Sequence, residues 1–129
     1  MSKLLATMNP SLHPEIFVFL TTKQSLEIVI PKLRPKMIFE EAEGYIIITS
    51  QDLADSHGFE YTFTCRMITL NVHSDLEAVG FLAAVSAKLT EYNISSNVVS
   101  GYFHDHLFIA VGKEETALDV LHNLSIEGK

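Results

Sequence analysis

The sequence lacks the features that would tie it to a secreted or membrane setting. It has one cysteine, Cys65, in 129 residues, so no disulfide can form within the chain. Its longest apolar runs, residues 16–20 and 79–85, are far shorter than the roughly 20 residues that cross a bilayer. Residues 1–8 lack the sustained apolar stretch of a signal peptide. We therefore expect a cytoplasmic protein with no membrane partner.

Basic residues are also scarce. Nine lysines and arginines stand against sixteen aspartates and glutamates, which gives a formal net charge of −7. The only close basic group, Lys32, Arg34 and Lys36, is followed by three glutamates at positions 40, 41 and 43. Because binding to nucleic acid needs a clustered positive surface that displaces counterions, we predict no nucleic-acid partner.

Motifs for catalysis and cofactor binding are missing. The six glycines stand singly, so neither a dinucleotide fingerprint nor a phosphate-binding loop is present. Cys65 lies between two apolar stretches without the flanking pattern of a nucleophile, and a packed, unreactive thiol is expected there. His104 and His106 could ligate a metal ion, but a third ligand would have to come from His57 or His73. We predict no catalytic activity, no cofactor and no bound metal.

The 47% of hydrophobic residues suffices for a proper core, and the first half predicts a strand-rich layer. Residues 15–22 and 45–49 are apolar runs typical of strands covered on both faces. Two prolines limit residues 24–36 to a loop, an edge strand or a broken helix. Residues 37–39 should pair with 45–49 as a hairpin, and residues 51–57 should form a short helix that Gly58 ends.

The second half has a clearer pattern. Alternation over residues 66–72 predicts a strand with one buried face. A long helix that ends near Asn93 follows, and then two strands, 96–103 and 107–111, joined by a turn at 104–106. Residues 114–124 predict a closing helix. This order lacks the last strand of a βαββαβ layer, so we expect an apolar strand of the first half to supply it.

Residues 68–86, 94–100 and 103–108 together resemble the ACT domain superfamily, whose small βαββαβ modules regulate metabolism by binding amino acids. The matching positions are Asp75, Gly80, Phe81, Leu82, Asn93 and Ile94. The resemblance is specific over residues 62–124 and looser before them. It implies an α+β, ferredoxin-like fold of two tandem units that share strands, with helices on one face of antiparallel sheets. Residues 1–61 would form an incomplete N-terminal unit and residues 62–129 the C-terminal unit.

The start of the long helix has two interpretations. Ser74 and Glu77 have the spacing of a capping box, which would begin the helix at Ser74 and place Gly80 inside it. An interior glycine costs roughly 1 kcal/mol relative to alanine. In the ACT pattern the helix instead begins near Val79, and Gly80 leaves room for a ligand. We favour the later start, because an interior glycine without a role is unfavourable.

The resemblance places a ligand at this turn. A helix N-terminus presents unpaired N–H groups and a partial positive charge, which suit an α-carboxylate. Asp75 could receive an α-ammonium group, and Asn97 could supply a side-chain amide. The predicted ligand-binding residues are Ser74, Asp75, Val79, Gly80, Phe81 and Asn97. In the alternative, Ser74 caps the helix, Asp75 is solvated and Gly80 only permits tight packing.

Three functions from different classes follow from the resemblance and from the residues. The first is a sensor without catalytic activity that binds a small molecule, which the resemblance implies to be an amino acid. The second is a structural module for protein interactions whose ligand site is vestigial. A metal-dependent enzyme that uses His104 and His106 is the third. A homodimer is expected in either of the first two cases, because the apolar strand faces need a cover.

Overall fold

Two long strands, β1 (Pro10–Thr22) and β4 (Phe63–Leu70), organise the fold. Each contributes residues to both compact units of the chain. The central unit is Glu15–Cys65, and the terminal unit joins Met1–Pro14 to Arg66–Lys129. The structure is a computed structural model that describes residues 2–72 and 79–127.

The central unit runs strand, helix, strand, strand, helix, strand, which is the βαββαβ order of the ACT fold. Between β1 and β4 it contains α2 (Leu26–Leu33), β2 (Met37–Glu41), β3 (Gly44–Ser50) and α3 (Gln51–Ser56). Its strands lie in the order β2-β3-β1-β4. Antiparallel pairing places Met37 opposite Ile48, and Leu20 opposite Ile47. The predicted hairpin and the predicted short helix are confirmed.

Helix α2 forms although it contains a proline. The Ser25 hydroxyl caps its start by accepting a hydrogen bond from the Glu27 N–H at 3.2 Å. Val29 and Leu33, which lie one turn apart, are fully buried and anchor the helix to the core. Pro31 removes one helical donor. Of the three options that the sequence allowed for this segment, the helical one is correct, because the burial of these two side chains outweighs the lost hydrogen bond.

The terminal unit is built from both ends of the chain. It adds to residues of β1 and β4 the elements α1 (Ser2–Thr7), α4 (Phe81–Glu91), β5 (Asn97–Ser100), β6 (Asp105–Ala110) and α5 (Glu114–Glu127). Its strand order is β1-β4-β6-β5, so residues 10–14 of β1 supply the strand that the second half lacks. The first half therefore does supply this strand, but the part that does so precedes the apolar run at residues 15–22. The predicted boundary between residues 61 and 62 divides the sequence, whereas the compact units group residues by contacts in space. The boundary therefore stays a prediction.

Each unit has its own apolar core. In the terminal unit, α4, α5 and the N-terminal segment pack on the strands, and the fully buried side chains include Met8, Ile68, Leu70, Phe81, Leu89, Leu107, Ile109 and Leu121. In the central unit, α2 and α3 pack on β1 and β3 through Val18, Leu20, Val29, Leu33, Ile47 and Ala54. Among the described helices, none is long and apolar enough to span a membrane.

Two predicted details of the second half are wrong, and one helix was not predicted. Residues 67–70 of β4 are all buried, because side chains of β1 and β6 cover the face that was expected to be open.

The turn predicted at 104–106 comes earlier, and Asp105 and His106 already belong to β6. The chain turns at Gly101, whose N–H donates to the His104 carbonyl at 2.9 Å. A Cβ at this glycine would lie 2.7 Å from that carbonyl oxygen, so the tight turn needs a glycine at position 101. Helix α1 has no counterpart in the sequence analysis.

Candidate functional site

The predicted ligand turn ends where α4 begins. Its last two residues are Val79, which is 91% exposed, and Gly80, which is the N-cap of α4 with a φ of 93°. Glycine has no side chain to cap the helix, and the Ala84 N–H donates to the Gly80 carbonyl at 3.0 Å. The interpretation in which the helix starts late, and not at Ser74, is therefore confirmed.

The backbone conformation explains the glycine at position 80. A φ of 93° lies in the left-handed region, which costs other L-residues roughly 1–2 kcal/mol. After this turn, Phe81, Val85 and Leu89 recur every four residues and are buried in the terminal core. The turn at Gly80 therefore leaves Val79 in solvent while the next residue begins an anchored helix.

The structure describes four of the six predicted site residues. Ser74 and Asp75 lie outside the described residues. Phe81 is 2% exposed, so its backbone and not its ring is available to a ligand. Asn97 lies opposite Phe108, while Val98 lies opposite the core residue Leu107. Paired residues share a face and neighbours alternate, so the Asn97 side chain is on the face away from α4. The binding roles of all six residues stay predictions.

A polar contact missed by the sequence analysis crosses three strands of the terminal unit. The Thr69 hydroxyl on β4 lies 2.8 Å from Nε2 of His13 on β1 and 3.0 Å from Nδ1 of His106 on β6. Thr69 is buried. Its hydroxyl has one hydrogen, so at most one of these imidazoles accepts from it and at least one donates to it. The histidines are 56 and 37 residues away from Thr69 in sequence, so no local motif could reveal the contact.

The two histidines that suggested a metal site are in different environments. His104 is exposed, and His106 contacts the Thr69 hydroxyl. Within residues 2–72 and 79–127, no group of three or more histidine, cysteine, aspartate or glutamate side chains could hold a metal ion. His73, one of the two candidates for a third ligand, lies outside these ranges. The metal-dependent alternative gains no support from the described part of the chain.

Several cavities lie away from the predicted turn. One of about 700 Å³ in the central unit is lined by the end of β1, by Ile46 and by residues 60–62. A second in the same unit, of about 240 Å³, includes Arg34, Lys36 and Ser50 in its lining. A third, of about 360 Å³, lies in the terminal unit beside Pro10 and His122. The sequence analysis identified none of them, because cavities form where elements diverge and no local pattern records that.

Cys65 has the environment of an unreactive thiol. It is fully buried, and its Sγ lies 3.5 Å from the Phe17 carbonyl, to which it donates. Burial raises the pKa of the Cys65 thiol from 9.0 to about 12. The thiolate is the reactive form of cysteine, so Cys65 is not a nucleophile at neutral pH.

The chain resembles known families across nearly its whole length. Comparison with protein families matches the ACT domain twice, over residues 1–66 and over residues 62–123. The chain belongs to the ACT domain family. The two ACT matches overlap at residues 62–66, where β4 begins. The resemblance stated from the sequence is therefore confirmed, together with its α+β, ferredoxin-like tandem architecture.

Several solved structures cover most of this ACT protein. VC0802 from Vibrio cholerae, a protein of unknown function described as a possible transport protein, is 38% identical, with coverage of 96% of this chain and 94% of its own and a TM-score of 0.87. The ligand-free regulatory subunit of aspartate kinase from Thermus thermophilus is 11% identical, with coverage of 92% and 97% and a TM-score of 0.69. Atu0741 from Agrobacterium tumefaciens is 16% identical, with coverage of 85% and 81% and a TM-score of 0.61. The last two show a shared fold alone. No curated protein matches the chain.

Proposed function

We propose that this ACT protein is a regulatory protein without catalytic activity that binds an α-amino acid at the turn before α4. The observation that carries the proposal is the double ACT match over residues 1–66 and 62–123, because ACT domains typically bind amino acids for regulation. A regulatory subunit of aspartate kinase among the structural relatives agrees with this class of function.

The start of α4 supports this location. The first N–H groups of a helix have no partner inside the helix and carry a partial positive charge. Gly80 adds no side-chain cap, and Val79 beside it is 91% exposed. In the proposed complex, the α-carboxylate accepts hydrogen bonds from these N–H groups, and Asp75 receives the α-ammonium group. Ser74 is the further polar group that the proposal includes, whereas Asn97, whose side chain is on the face away from α4, is left out of it.

Titration calorimetry of the full chain with each of the twenty amino acids tests the proposal, and at least one should bind. Val79→Asp should weaken that binding about tenfold, because a new carboxylate beside the ligand carboxylate costs about 1.4 kcal/mol or more. Val111→Asp is the matched control, since Val111 is also exposed and lies in the same unit. Absence of binding by all twenty, or an equal effect of both variants, would contradict the proposal.

The second candidate function, a protein-interaction module with a vestigial ligand site, is favoured by one surface feature. Tyr102 and Phe103 are 71% and 60% exposed, and their ring centroids lie 4.9 Å apart. Exposed aromatic side chains are enriched at protein interfaces. If this function is correct, Tyr102→Ser combined with Phe103→Ser removes self-association or partner binding, and no amino acid binds the unaltered chain in calorimetry.

The proposal includes a cytoplasmic homodimer. Strand β5 is the last in the strand order of the terminal unit, with only β6 as a strand neighbour among the described residues. Val98 on this strand is 37% exposed. An open strand edge with apolar side chains favours association. Light scattering should therefore give about twice the 14.4 kDa of one chain, and a mass equal to one chain would contradict the dimer.

A further inference from the structure

The cavity of about 700 Å³ in the central unit is a cleft at the end of β1. Its polar and apolar lining comes from three places: Phe19 and Thr21 of β1, Ile46 of β3, and the segment Glu60, Tyr61 and Thr62 that leads into β4. Strand β4 starts only at Phe63, so this segment precedes the strand, and the Thr62 N–H makes its one described backbone hydrogen bond to β1. The cleft has the size of a small-molecule site, since such sites span about 300–1,000 Å³.

The backbone of β1 opens toward this cleft at Thr21. The Thr62 N–H donates to the Phe19 carbonyl at 3.5 Å, so Phe19 presents its backbone groups to the side of β4. The Thr22 carbonyl points the opposite way, because a Cβ on Gly44 of β3 would lie 2.8 Å from its oxygen. Backbone groups alternate between the two edges of a strand. The N–H and C=O of Thr21 therefore point away from β3, and no described backbone hydrogen bond joins them to residues 60–62.

The side chains of the cleft have a definite chemistry. The half-buried rings and branches of Phe19, Ile46 and Tyr61 form apolar walls. The Tyr61 hydroxyl accepts from Gln51 at 3.1 Å and donates to Asp55 at 2.9 Å, so Tyr61 offers its ring and not its hydroxyl. The one charged lining residue is Glu60, which is exposed. The lining contains no lysine, arginine or histidine.

We propose that this cleft binds a small molecule that carries an ammonium group on an apolar body. The ammonium group donates hydrogen bonds to the Glu60 carboxylate and to the Thr21 carbonyl, and the apolar body lies against Phe19, Ile46 and Tyr61. A carboxylate in the lining without a basic partner repels anions, so the ligand class differs from one recognised through its α-carboxylate. The site is separate from the turn before α4 and does not depend on the function proposed there.

Binding of 2-phenylethylammonium to the full chain, followed by NMR of backbone amides, tests this site. Two matched probes have the same ring: N-acetyl-2-phenylethylamine is neutral, and 3-phenylpropanoate is an anion. The ammonium probe should bind at least about tenfold more tightly than either, because its charged N–H groups form stronger hydrogen bonds to a carboxylate than a neutral amide does. The amides of Thr21 and Thr62 should shift most. Equal affinities for the three probes, or absence of binding by the ammonium probe, would overturn the proposal.

A pair of variants separates the role of Glu60 from a general effect of charge. Glu60→Gln keeps the size of the side chain and removes its charge, and it should weaken binding of the ammonium probe about tenfold. Glu40→Gln removes an exposed charge from β2 in the same unit, outside the lining of the cleft, and should leave the affinity unchanged. Both positions are exposed, so both variants are expected to fold. An equal loss in both variants would overturn the assignment of Glu60.

Discussion

The central and terminal units contain similar elements but assemble them from the chain in different ways. The central unit is one continuous segment, Glu15–Cys65, whereas the terminal unit needs Met1–Pro14 to complete Arg66–Lys129. Contacts between distant parts of the chain therefore hold the terminal unit, and the Ser125 hydroxyl that donates to the Ala6 carbonyl at 3.1 Å is one of them. The difference shows how two ACT units can share strands: the N-terminal segment of the chain completes the unit that the C-terminal half forms.

The largest effect that tests this comparison is expected from Met8, a fully buried residue of the terminal core. Met8→Ala should lower the free energy of unfolding by about 2–5 kcal/mol, because it leaves a cavity. Hydrogen exchange of single amides should show the loss of protection in β6 and α5 and little change in β3. Leu33→Ala is the matched change in the central core and should affect β3 first. If both variants cause the same loss of amide protection in the two units, the proposed difference between the units is wrong.

The next effect concerns the contact of Thr69 with His13 and His106. Thr69→Val should lower the free energy of unfolding by about 1–3 kcal/mol, because two imidazoles lose a buried partner. Thr49→Val in the central unit is the control, since Thr49 is also buried but its hydroxyl donates to a single carbonyl, that of Leu33. Chemical denaturation measures both. A smaller loss for Thr69→Val than for Thr49→Val would contradict a shared role of the hydroxyl.

A gain of stability is expected in the central unit when its helix loses a proline. Pro31→Ala should raise the free energy of unfolding by about 1 kcal/mol, because the helix recovers a hydrogen-bond donor while the unfolded chain becomes only slightly freer. Pro35→Ala is the control, since Pro35 lies beyond the end of α2 at Leu33. Denaturation curves of both variants measure this change in the free energy of unfolding. A loss of stability in Pro31→Ala would show that the proline conformation is needed.

The smallest effect is a pH dependence from Cys65 in the central unit. Burial raises the pKa of this thiol to about 12, from 9.0, so the folded state favours the protonated form. The stability from this preference is present below pH 9.0 and is lost as the pH rises toward about 12. Cys65→Val should therefore show a weaker fall in the free energy of unfolding between about pH 8 and about pH 10. The same slope in both proteins would contradict the role of the thiol.

The sequence predicted those elements whose determinants are local. The hairpin of 37–39 with 45–49 and the short helix before Gly58 follow from apolar runs and turn residues, and the structure contains both. The late start of α4 was decided by a single glycine and the family pattern. In contrast, the prolines left α2 as one of three options, because burial of Val29 and Leu33 cannot be seen from a local propensity.

The parts that could not be predicted depend on contacts between distant residues. The Thr69 contact depends on the register of three strands. The cleft beside Thr21 depends on the start of β4 at Phe63, after residues 60–62 that line the cleft. The face of Asn97 follows only from its pairing with Phe108. Residues 73–78, which contain Ser74 and Asp75, lie outside the described residues, so the ligand role of that turn remains a proposal.

The most direct test of the central proposal is a map of amide shifts on addition of the amino acid that calorimetry selects. Binding at the start of α4 predicts that the largest shifts occur at residues 80–83, that Gly80→Ala abolishes them, and that Gly112→Ala does not. Gly112 is a suitable control because it also has a positive φ, 104° against 93°, and open space where a Cβ would be added. Shifts confined to Thr21 and residues 60–62, or equal effects of the two glycine variants, would contradict an amino-acid site at this helix.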